Sequence, residues 1–310
     1  MIPDASKLIR APWLVGSTWL NSLGAELMGI VNVTPDSFHD GGKWFDSTKA
    51  VERARSLFAT GARIIDIGGE SARPGSNSVP VEEELRRTLP VVQQVAQELG
   101  PHGALISIDT AKSEVARAAV EAGALIINDI SNLSADPMMA ECVAELSRER
   151  GAGVVLNHTR GTPLTMQLDP QYADAVSEVR DELLASANRL EELGMERERI
   201  CLDPGIGFGK SLDHNLQLIA QLQELCVTGY PVLVGLSYKS LFGKIEALAD
   251  SDRKIPSIAG AMMADLLGAR VVRVHDVAES AEAFAFLNEL RARGGVEFSP
   301  PFVISKNERG

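Results

Sequence analysis

Eight short apolar runs recur along the chain, and each ends in polar or charged residues. In order, the runs and their endings are LMGIVN with Asn32, IIDIGGE with Asp66 and Glu70, LISIDT with Asp109, LIINDI with Asn128 and Asp129, VVLNH with Asn157 and His158, ICLDPG with Asp203, PVLVGLS leading to Lys239, and VVRVH with Arg273 and His275. Near-continuous Val, Ile and Leu runs are typical of strands buried on both faces of a parallel sheet. Helical periodicity between most of them indicates repeated strand–helix units. Eight such units predict an α/β fold, the (β/α)8 TIM barrel, whose chemistry lies at the C-terminal strand ends.

Other segments predict how the barrel is wrapped and closed. Residues 8–25 place Gly16-Ser17 between two short apolar runs, which predicts an N-terminal β-hairpin at the bottom of the barrel. The loops 33–46 and 70–80 are long and rich in Gly, Pro, Ser and Asp, so we expect them to act as lids. Amphipathic helices are predicted over residues 47–60, 81–99, 112–122, 137–150, 170–194, 212–228, 257–268 and 278–293.

Composition narrows the class of protein. The 310 residues fit one barrel, so residues 1–310 are predicted to form a single domain. A formal net charge of −12 argues against non-specific nucleic-acid binding. Three widely spaced cysteines have neither disulfide nor zinc spacing, which favours a reducing compartment. No run is long enough to span a membrane, and the N-terminus is unlike a signal peptide. A soluble, cytoplasmic protein with no membrane or nucleic-acid partner is therefore expected.

Four polar residues at the predicted strand ends suit a flat, nitrogen-rich ring. Asp109, Asn128, Asp203 and Lys239 follow strands three, four, six and seven. A carboxylate accepts two adjacent N–H groups, as an aminopyrimidinone ring offers, and an Asn adds one donor and one acceptor. Lys239 adds a donor to a ring oxygen or nitrogen. The alternative is that these side chains only tie strand ends to neighbouring backbone.

A second set suits a phosphate or pyrophosphate. Arg273 and His275 flank Val274, so both point to the same side of a strand. Arg73, in the second loop, adds another cation, and a guanidinium pairs with two phosphate oxygens. Asn32 is a neutral oxygen ligand suited to Mg²⁺ held against such a group. The alternative for Arg273 is an ion pair with Asp276 or Asp66.

The segment LDPGIGFGKS does not match the phosphate-binding P-loop. That pattern needs a glycine where Pro204 stands, and Lys210 occupies the last glycine position of the dinucleotide fingerprint. Phe208 in this loop is instead suited to packing against an aromatic ring. His214, just after the loop, is interpreted as a local structural residue.

Long stretches of the chain resemble the dihydropteroate synthase family. The matching stretches are MGIVNVTPDSF (28–38) with DGG (40–42), DIGGES (66–71) with RPG (73–75), SIDT (107–110), INDIS (127–131), LDPGIGFGK (202–210), KS (239–240) and RVHDV (273–277). They follow the family order over about 250 residues. The resemblance implies a barrel transferase of folate biosynthesis that joins 7,8-dihydropterin-6-ylmethyl diphosphate to 4-aminobenzoate and releases pyrophosphate. It also implies Mg²⁺ and a homodimer built from the later helices.

The resemblance also implies a role for individual residues. The implied pterin-binding residues are Asp109, Asn128, Asp203, Phe208 and Lys239. The implied diphosphate-binding residues are Asn32, Arg73, Arg273 and His275, with Asn32 reaching the metal. Arg73, Lys239, Arg273 and His275 are the implied catalytic residues. The implied aminobenzoate-binding residues are Phe38, Pro74, Tyr238 and Ser240.

Three positions depart from the family pattern. Tyr238 stands where the family usually has Arg, Ala72 replaces a Thr, and Asn157 replaces a Met before His158. These changes are compatible with an ordinary synthase, which is the favoured hypothesis because the diphosphate and pterin sets are intact. They are also compatible with a paralogue whose altered acceptor site gives reduced sulfonamide binding or little synthase activity. A non-catalytic pterin-binding protein and a corrinoid-dependent pterin methyltransferase are further alternatives.

Overall fold

Eight parallel strands form the centre of the molecule. The structure is a computed structural model, and it describes residues 10–34, 47–71, 76, 78–161, 165–166, 168 and 170–293. The strands are β3 (Glu26–Asn32), β4 (Ile64–Gly68), β5 (Leu105–Asp109), β6 (Ile126–Asp129), β7 (Gly153–Asn157), β8 (Ile200–Asp203), β9 (Leu233–Gly235) and β10 (Val271–Val274). Their order in the sheet is β8-β7-β6-β5-β4-β3-β10-β9. A parallel bridge from Leu202 to Val232 joins the two ends of this order. The predicted TIM barrel is therefore confirmed.

Nine α-helices surround the barrel within the described residues. They are α1 (Ser47–Ala59), α2 (Val81–Leu99), α3 (Ser113–Glu121), α4 (Met139–Arg150), α5 (Ala175–Glu192), α6 (Leu212–Ala220), α7 (Gln223–Cys226), α8 (Lys254–Leu266) and α9 (Val277–Ala292). None is long and apolar enough to cross a membrane within the part of the chain that was described.

The helix boundaries differ from prediction by more than two residues at three places. Helix α5 begins at Ala175 rather than near residue 170, because the Asp174 side chain accepts hydrogen bonds from two backbone N–H groups of the first turn. Helix α8 begins at Lys254, three residues early, and Pro256 is tolerated because it lies in the first turn. The predicted helix 212–228 is divided into α6 and α7, and the break follows Ala220.

The barrel interior has an apolar floor closed by the N-terminal hairpin. Strands β1 (Trp13–Val15) and β2 (Thr18–Leu20) pair antiparallel, as predicted. The floor cluster consists of Trp13, Val15, Leu20, Met28, Ile64, Leu105, Ile126, Val155, Cys201, Leu233 and Val271, with Leu125 packed against it. Each of the eight barrel strands contributes one of these residues. Because side chains alternate along a strand, the residues two and four positions further on also face the interior.

This alternation brings the polar strand ends together above the floor. The interior residues two positions after the floor residues include Asp66, Asn128, Asn157, Asp203 and Arg273. Residues of opposite parity, such as Ile65 and Ile108, pack instead into the larger cluster between the barrel and the helices. The barrel is thus apolar at its base and polar at its C-terminal mouth.

Candidate active site

Arg273 forms the centre of a buried ion-pair network at the barrel mouth. Its Nε donates to Asp66 Oδ2 at 2.7 Å, and its Nη2 donates to Asp109 Oδ2 at 2.7 Å. Asn128 Nδ2 also donates to Asp66 Oδ2, at 3.2 Å. Asp66 is fully buried, whereas the Arg273 side chain keeps 23% of its exposure. The ion pair with Asp66, which the sequence analysis gave as the alternative for Arg273, is present, and the same guanidinium also pairs with Asp109, a predicted ring-binding carboxylate.

Burial changes the acidity of the two predicted pterin-binding carboxyl groups. Desolvation raises the pKa of Asp109 to about 7, against the lowering effect of Arg273. Desolvation also raises the pKa of Asp203, although its Oδ1 accepts a 2.7 Å hydrogen bond from the Gly205 N–H. A carboxyl group with a raised pKa gains most from a ligand that brings positive charge or N–H donors.

Lys239 reaches the same region from the segment that follows β9. Its Nζ lies 3.8 Å from the centroid of the Phe208 ring, within cation–π distance. Burial and the nearby Arg273 lower its pKa to about 8, while Asp203 and Asp109 favour its charged form. Lys239, Phe208 and Asp203 therefore belong to one pocket, and sequence reasoning placed all three there.

Lys210 holds the backbone around this pocket in place. The sequence analysis assigned it no role. Its buried Nζ donates to the carbonyl oxygens of Phe208 at 2.9 Å, Gly205 at 3.0 Å and His158 at 3.2 Å. It also lies 2.9 Å from His158 Nδ1, and His158 Nε2 lies 2.9 Å from Glu182 Oε2. Burial lowers the pKa of Lys210 to about 7, and burial together with Lys210 lowers the pKa of His158 to about 3. A neutral His158 accepts from Lys210 and donates to Glu182.

His275 and Tyr238 lie side by side at the edge of the mouth. The Ser237 hydroxyl contacts His275 Nδ1 at 2.9 Å and accepts from the His275 N–H at 3.1 Å. The Tyr238 ring meets the His275 ring edge-on, with centroids 5.5 Å apart. Tyr238 has a φ of 55°, in the left-handed region, and its side chain is 37% exposed. Burial and a hydrogen bond to Asp276 raise its pKa to about 12.

The remaining predicted site residues differ in how far the structure describes them. Asn32 ends β3 and is partly exposed, and Ser240 is exposed one residue after Lys239. Phe38, Arg73 and Pro74 lie outside the described residues, as does Ala72.

Three of the polar strand endings serve the fold rather than the mouth. Asp129 accepts from the backbone N–H groups of Ser131 and Leu133, which shapes its own loop. Glu70 pairs with Lys112 and accepts from the Val79 N–H at 3.0 Å. His158 faces Lys210, as described above. These three residues therefore stabilise their own loops and neighbouring segments, a role that the sequence analysis had considered only for Asp109, Asn128, Asp203 and Lys239.

His214 also has a structural role, as predicted. It takes part in a capping box with Ser211 at the start of α6: its backbone N–H donates to the Ser211 hydroxyl, and its ring Nδ1 accepts from the Ser211 N–H.

The fold and the mouth define an α/β barrel whose C-terminal mouth brings buried carboxyl groups together with Lys239 and Arg273, and comparison with known proteins specifies the class. The sequence pattern of the family described as pterin binding enzyme matches residues 28–275. Dihydropteroate synthase of Escherichia coli strain K12 is 46% identical over 257 residues, 83% of this chain and 88% of that protein. Dihydropteroate synthase of Synechocystis is 42% identical over 257 residues, 83% and 86% of the two chains.

Solved structures agree with the sequence relatives. The structure of Xanthomonas albilineans dihydropteroate synthase with 4-aminobenzoic acid has a TM-score of 0.81 and 40% identity, covering 91% of this chain and 99% of that chain. The Burkholderia cenocepacia enzyme complexed with 7,8-dihydropteroate has a TM-score of 0.79 and 39% identity, with 91% and 97% covered. The chain belongs to the pterin-binding enzymes, in the dihydropteroate synthase family.

Proposed function

We propose that this chain is a dihydropteroate synthase. It condenses 7,8-dihydropterin-6-ylmethyl diphosphate with 4-aminobenzoate and releases 7,8-dihydropteroate and pyrophosphate. The observation that supports this most directly is the convergence of Asp109, Asp203, Lys239 and Arg273 on one barrel mouth. Relatives that are 46% and 42% identical to the chain are named dihydropteroate synthase.

The pterin half of the substrate meets the acidic side of the mouth. Asp203 accepts the adjacent N–H groups of the aminopyrimidinone edge, and Asn128 adds the donor and acceptor of its amide. Asn128 Oδ1 is buried without a partner among the described residues, so it has acceptor capacity left for a ligand. Phe208 offers a flat apolar surface to the ring, and Lys239 donates to a ring heteroatom.

The diphosphate half meets the cationic side. Arg273 and His275 stabilise the negative charge that develops on the leaving pyrophosphate as the C–O bond breaks. Asp109 and Asp203 favour the positive charge left on the pterin methylene. The family resemblance also assigns Arg73 to the diphosphate, and Phe38, Pro74, Tyr238 and Ser240 to the aminobenzoate. The amine of 4-aminobenzoate is neutral at pH 7, so it attacks with little need for a general base.

Asn32 is the residue proposed to hold Mg²⁺. No cluster of three acidic, His or Cys ligands occurs among the described residues, so the ion would rely on substrate and water oxygens. The partly exposed amide oxygen of Asn32 at the end of β3 fits this need, because Mg²⁺ commonly takes few protein ligands beside substrate phosphates. When bound, the ion would neutralise charge on the diphosphate.

Pyrophosphate release is the direct test of the proposed reaction. The purified protein is expected to release pyrophosphate only when 4-aminobenzoate and the pterin diphosphate are both present, and to need Mg²⁺, so that chelation stops release. A synthase-deficient strain is expected to grow when it carries this chain. Tight pterin binding without pyrophosphate release would instead support the non-catalytic alternative, and failure of complementation by folded protein would support the altered paralogue.

The outer faces of α8 and α9 support the proposal of a homodimer. Ile255 and Met263 of α8 are 77% and 44% exposed, and Phe286 of α9 is 61% exposed. Exposed apolar side chains grouped on neighbouring helices are typical of subunit contacts. Ile255→Asp is therefore expected to convert the dimer to a monomer in sedimentation or size-exclusion measurements.

A matched control separates this effect from a general effect of surface charge. Leu216 on α6 is 41% exposed, and Leu216→Asp is expected to leave the dimer intact. A monomeric wild-type protein, or dissociation by both variants alike, would contradict the proposed contact.

The buried free thiols of Cys142, Cys201 and Cys226 support the proposal of a reducing, cytoplasmic compartment. We also propose that the chain acts as one pterin-binding domain over residues 1–310, with small-molecule substrates and no nucleic-acid or membrane partner.

A further inference from the structure

Asn157, the last residue of β7, carries a buried amide whose oxygen has no hydrogen-bond partner among the described residues. The residue is 5% exposed, and the unpartnered atom is Oδ1. Buried polar atoms are almost always hydrogen-bonded in folded proteins, because leaving one unpaired opposes folding. No contact among the described residues therefore fixes the orientation of this oxygen.

The register of the barrel places Asn157 beside the proposed pterin-binding carboxylate. Val155, two residues earlier, packs in the apolar floor, so Asn157 faces the barrel interior. Asn157 is the direct neighbour of Asp203 across the β7–β8 ladder. A side chain built on Gly205 would come within 3.0 Å of Asn157 Oδ1, so the amide also lies against the loop that follows Asp203.

An amide next to a carboxylate matches the edge of a pterin ring. On that edge the 2-amino and N3–H donors lie next to the 4-oxo acceptor. If Asp203 accepts from the two donors, the neighbouring group needs to donate to the oxygen. The terminal torsion of Asn is broad and roughly two-fold, so rotation turns Nδ2 toward the ligand with no change of backbone.

We propose that Asn157 is a pterin-contacting residue that recognises the 4-oxo group. This inference rests on the proposed function for the identity of the ring. It adds a polar contact from β7 to a pocket otherwise formed by β5, β6, β8 and the segment after β9.

The test compares the binding of two rings to the wild type and to Asn157→Leu, measured by calorimetry on the full chain. The substitution is expected to weaken 6-hydroxymethylpterin binding about 3- to 10-fold, the range for one neutral hydrogen bond. For 2-aminopteridine, which lacks the 4-oxo group, the two proteins are expected to bind equally. Pyrophosphate affinity, measured alone, is expected to stay unchanged.

Thermal unfolding distinguishes ligand recognition from a structural role. Asn157→Leu removes an unsatisfied polar atom, so its melting temperature is expected to equal or exceed that of the wild type. Asn215→Leu is the matched control, because that buried amide is satisfied: it accepts from the Gly207 N–H at 2.7 Å and donates to the Ser211 carbonyl at 2.6 Å. Its melting temperature is expected to fall.

Two results would overturn the inference. One is equal pterin affinity in the wild type and Asn157→Leu. The other is a melting temperature for Asn157→Leu lowered as far as that of Asn215→Leu. Neither depends on turnover, so a wild type that binds pterin but releases no pyrophosphate would refute the synthase proposal and leave the Asn157 test valid.

Discussion

Replacing Arg273 with methionine is expected to lower the free energy of unfolding by about 3–5 kcal/mol and to remove pyrophosphate release. The guanidinium pairs with Asp66, which is fully buried, and with Asp109. Removing one member of a buried ion pair leaves the two buried carboxyl groups without their partner, which is strongly destabilising. Urea unfolding monitored by circular dichroism gives the free energy, and the pyrophosphate assay gives the activity.

Two further variants distinguish the effect of breaking the buried ion-pair network from the effect of removing an arginine in general. Arg273→Met combined with Asp66→Asn is expected to recover part of the lost stability, because one uncompensated charge is gone, but not the activity. Arg293→Ala removes an 80% exposed side chain paired only with Glu289 within the described residues, and it is expected to change stability by less than about 1 kcal/mol. A loss of stability by Arg273→Met no greater than that of Arg293→Ala would refute the network as a stabilising unit.

Replacing Lys239 with alanine is expected to weaken pterin binding by about 1.5–3 kcal/mol, the value of a hydrogen bond to a charged group. That corresponds to roughly a 10- to 150-fold rise in the dissociation constant. In the wild type the pKa of Lys239 is lowered to about 8, so the donor is charged below that pH and neutral above it. Affinity for 6-hydroxymethylpterin, measured by calorimetry, is therefore expected to fall as the pH rises through 8.

The pH profile provides the control for this prediction. Lys239→Ala has no group titrating at this position, so its affinity is expected to lack the fall near pH 8. Lys244→Ala, a change at another lysine of the same segment, is expected to bind pterin as the wild type does. Unaltered affinity in Lys239→Ala would show that Lys239 does not contact the ring.

The barrel could be predicted because the apolar composition of its strands and the helical periodicity between them are visible in the sequence. Eight apolar runs separated by helical segments allow few other topologies, and all eight strands occur where those runs lie. Helix boundaries were less predictable because they depend on local side-chain contacts. The Asp174 cap that starts α5 and the break between α6 and α7 involve single residues that no periodicity records.

The sequence predicted which residues form the site, but not which of them pair with one another. Strand ends identified Asp109, Asn128, Asp203 and Arg273 as neighbours, because parallel strands end at one edge. The pairing of charged groups depends on ångström-scale geometry across the barrel. The contacts of Arg273 with both Asp66 and Asp109 could therefore be identified only from the structure. The role of Lys210 could not be predicted, because its burial results from the path of the glycine-rich loop. From the sequence alone, a lysine that follows glycines is as compatible with an exposed position as with a buried one.

The Arg273 network has a consequence for ligand choice. Because the charges of Arg273, Asp66 and Asp109 balance one another, the barrel mouth attracts a lone inorganic anion only weakly. A lone phosphate would have to separate Arg273 from two carboxylates and leave them unmatched. A ligand that carries an anionic group on a ring with N–H donors can pair with Arg273 and with the two carboxylates at the same time. The ion pairs therefore favour ligands that carry both groups.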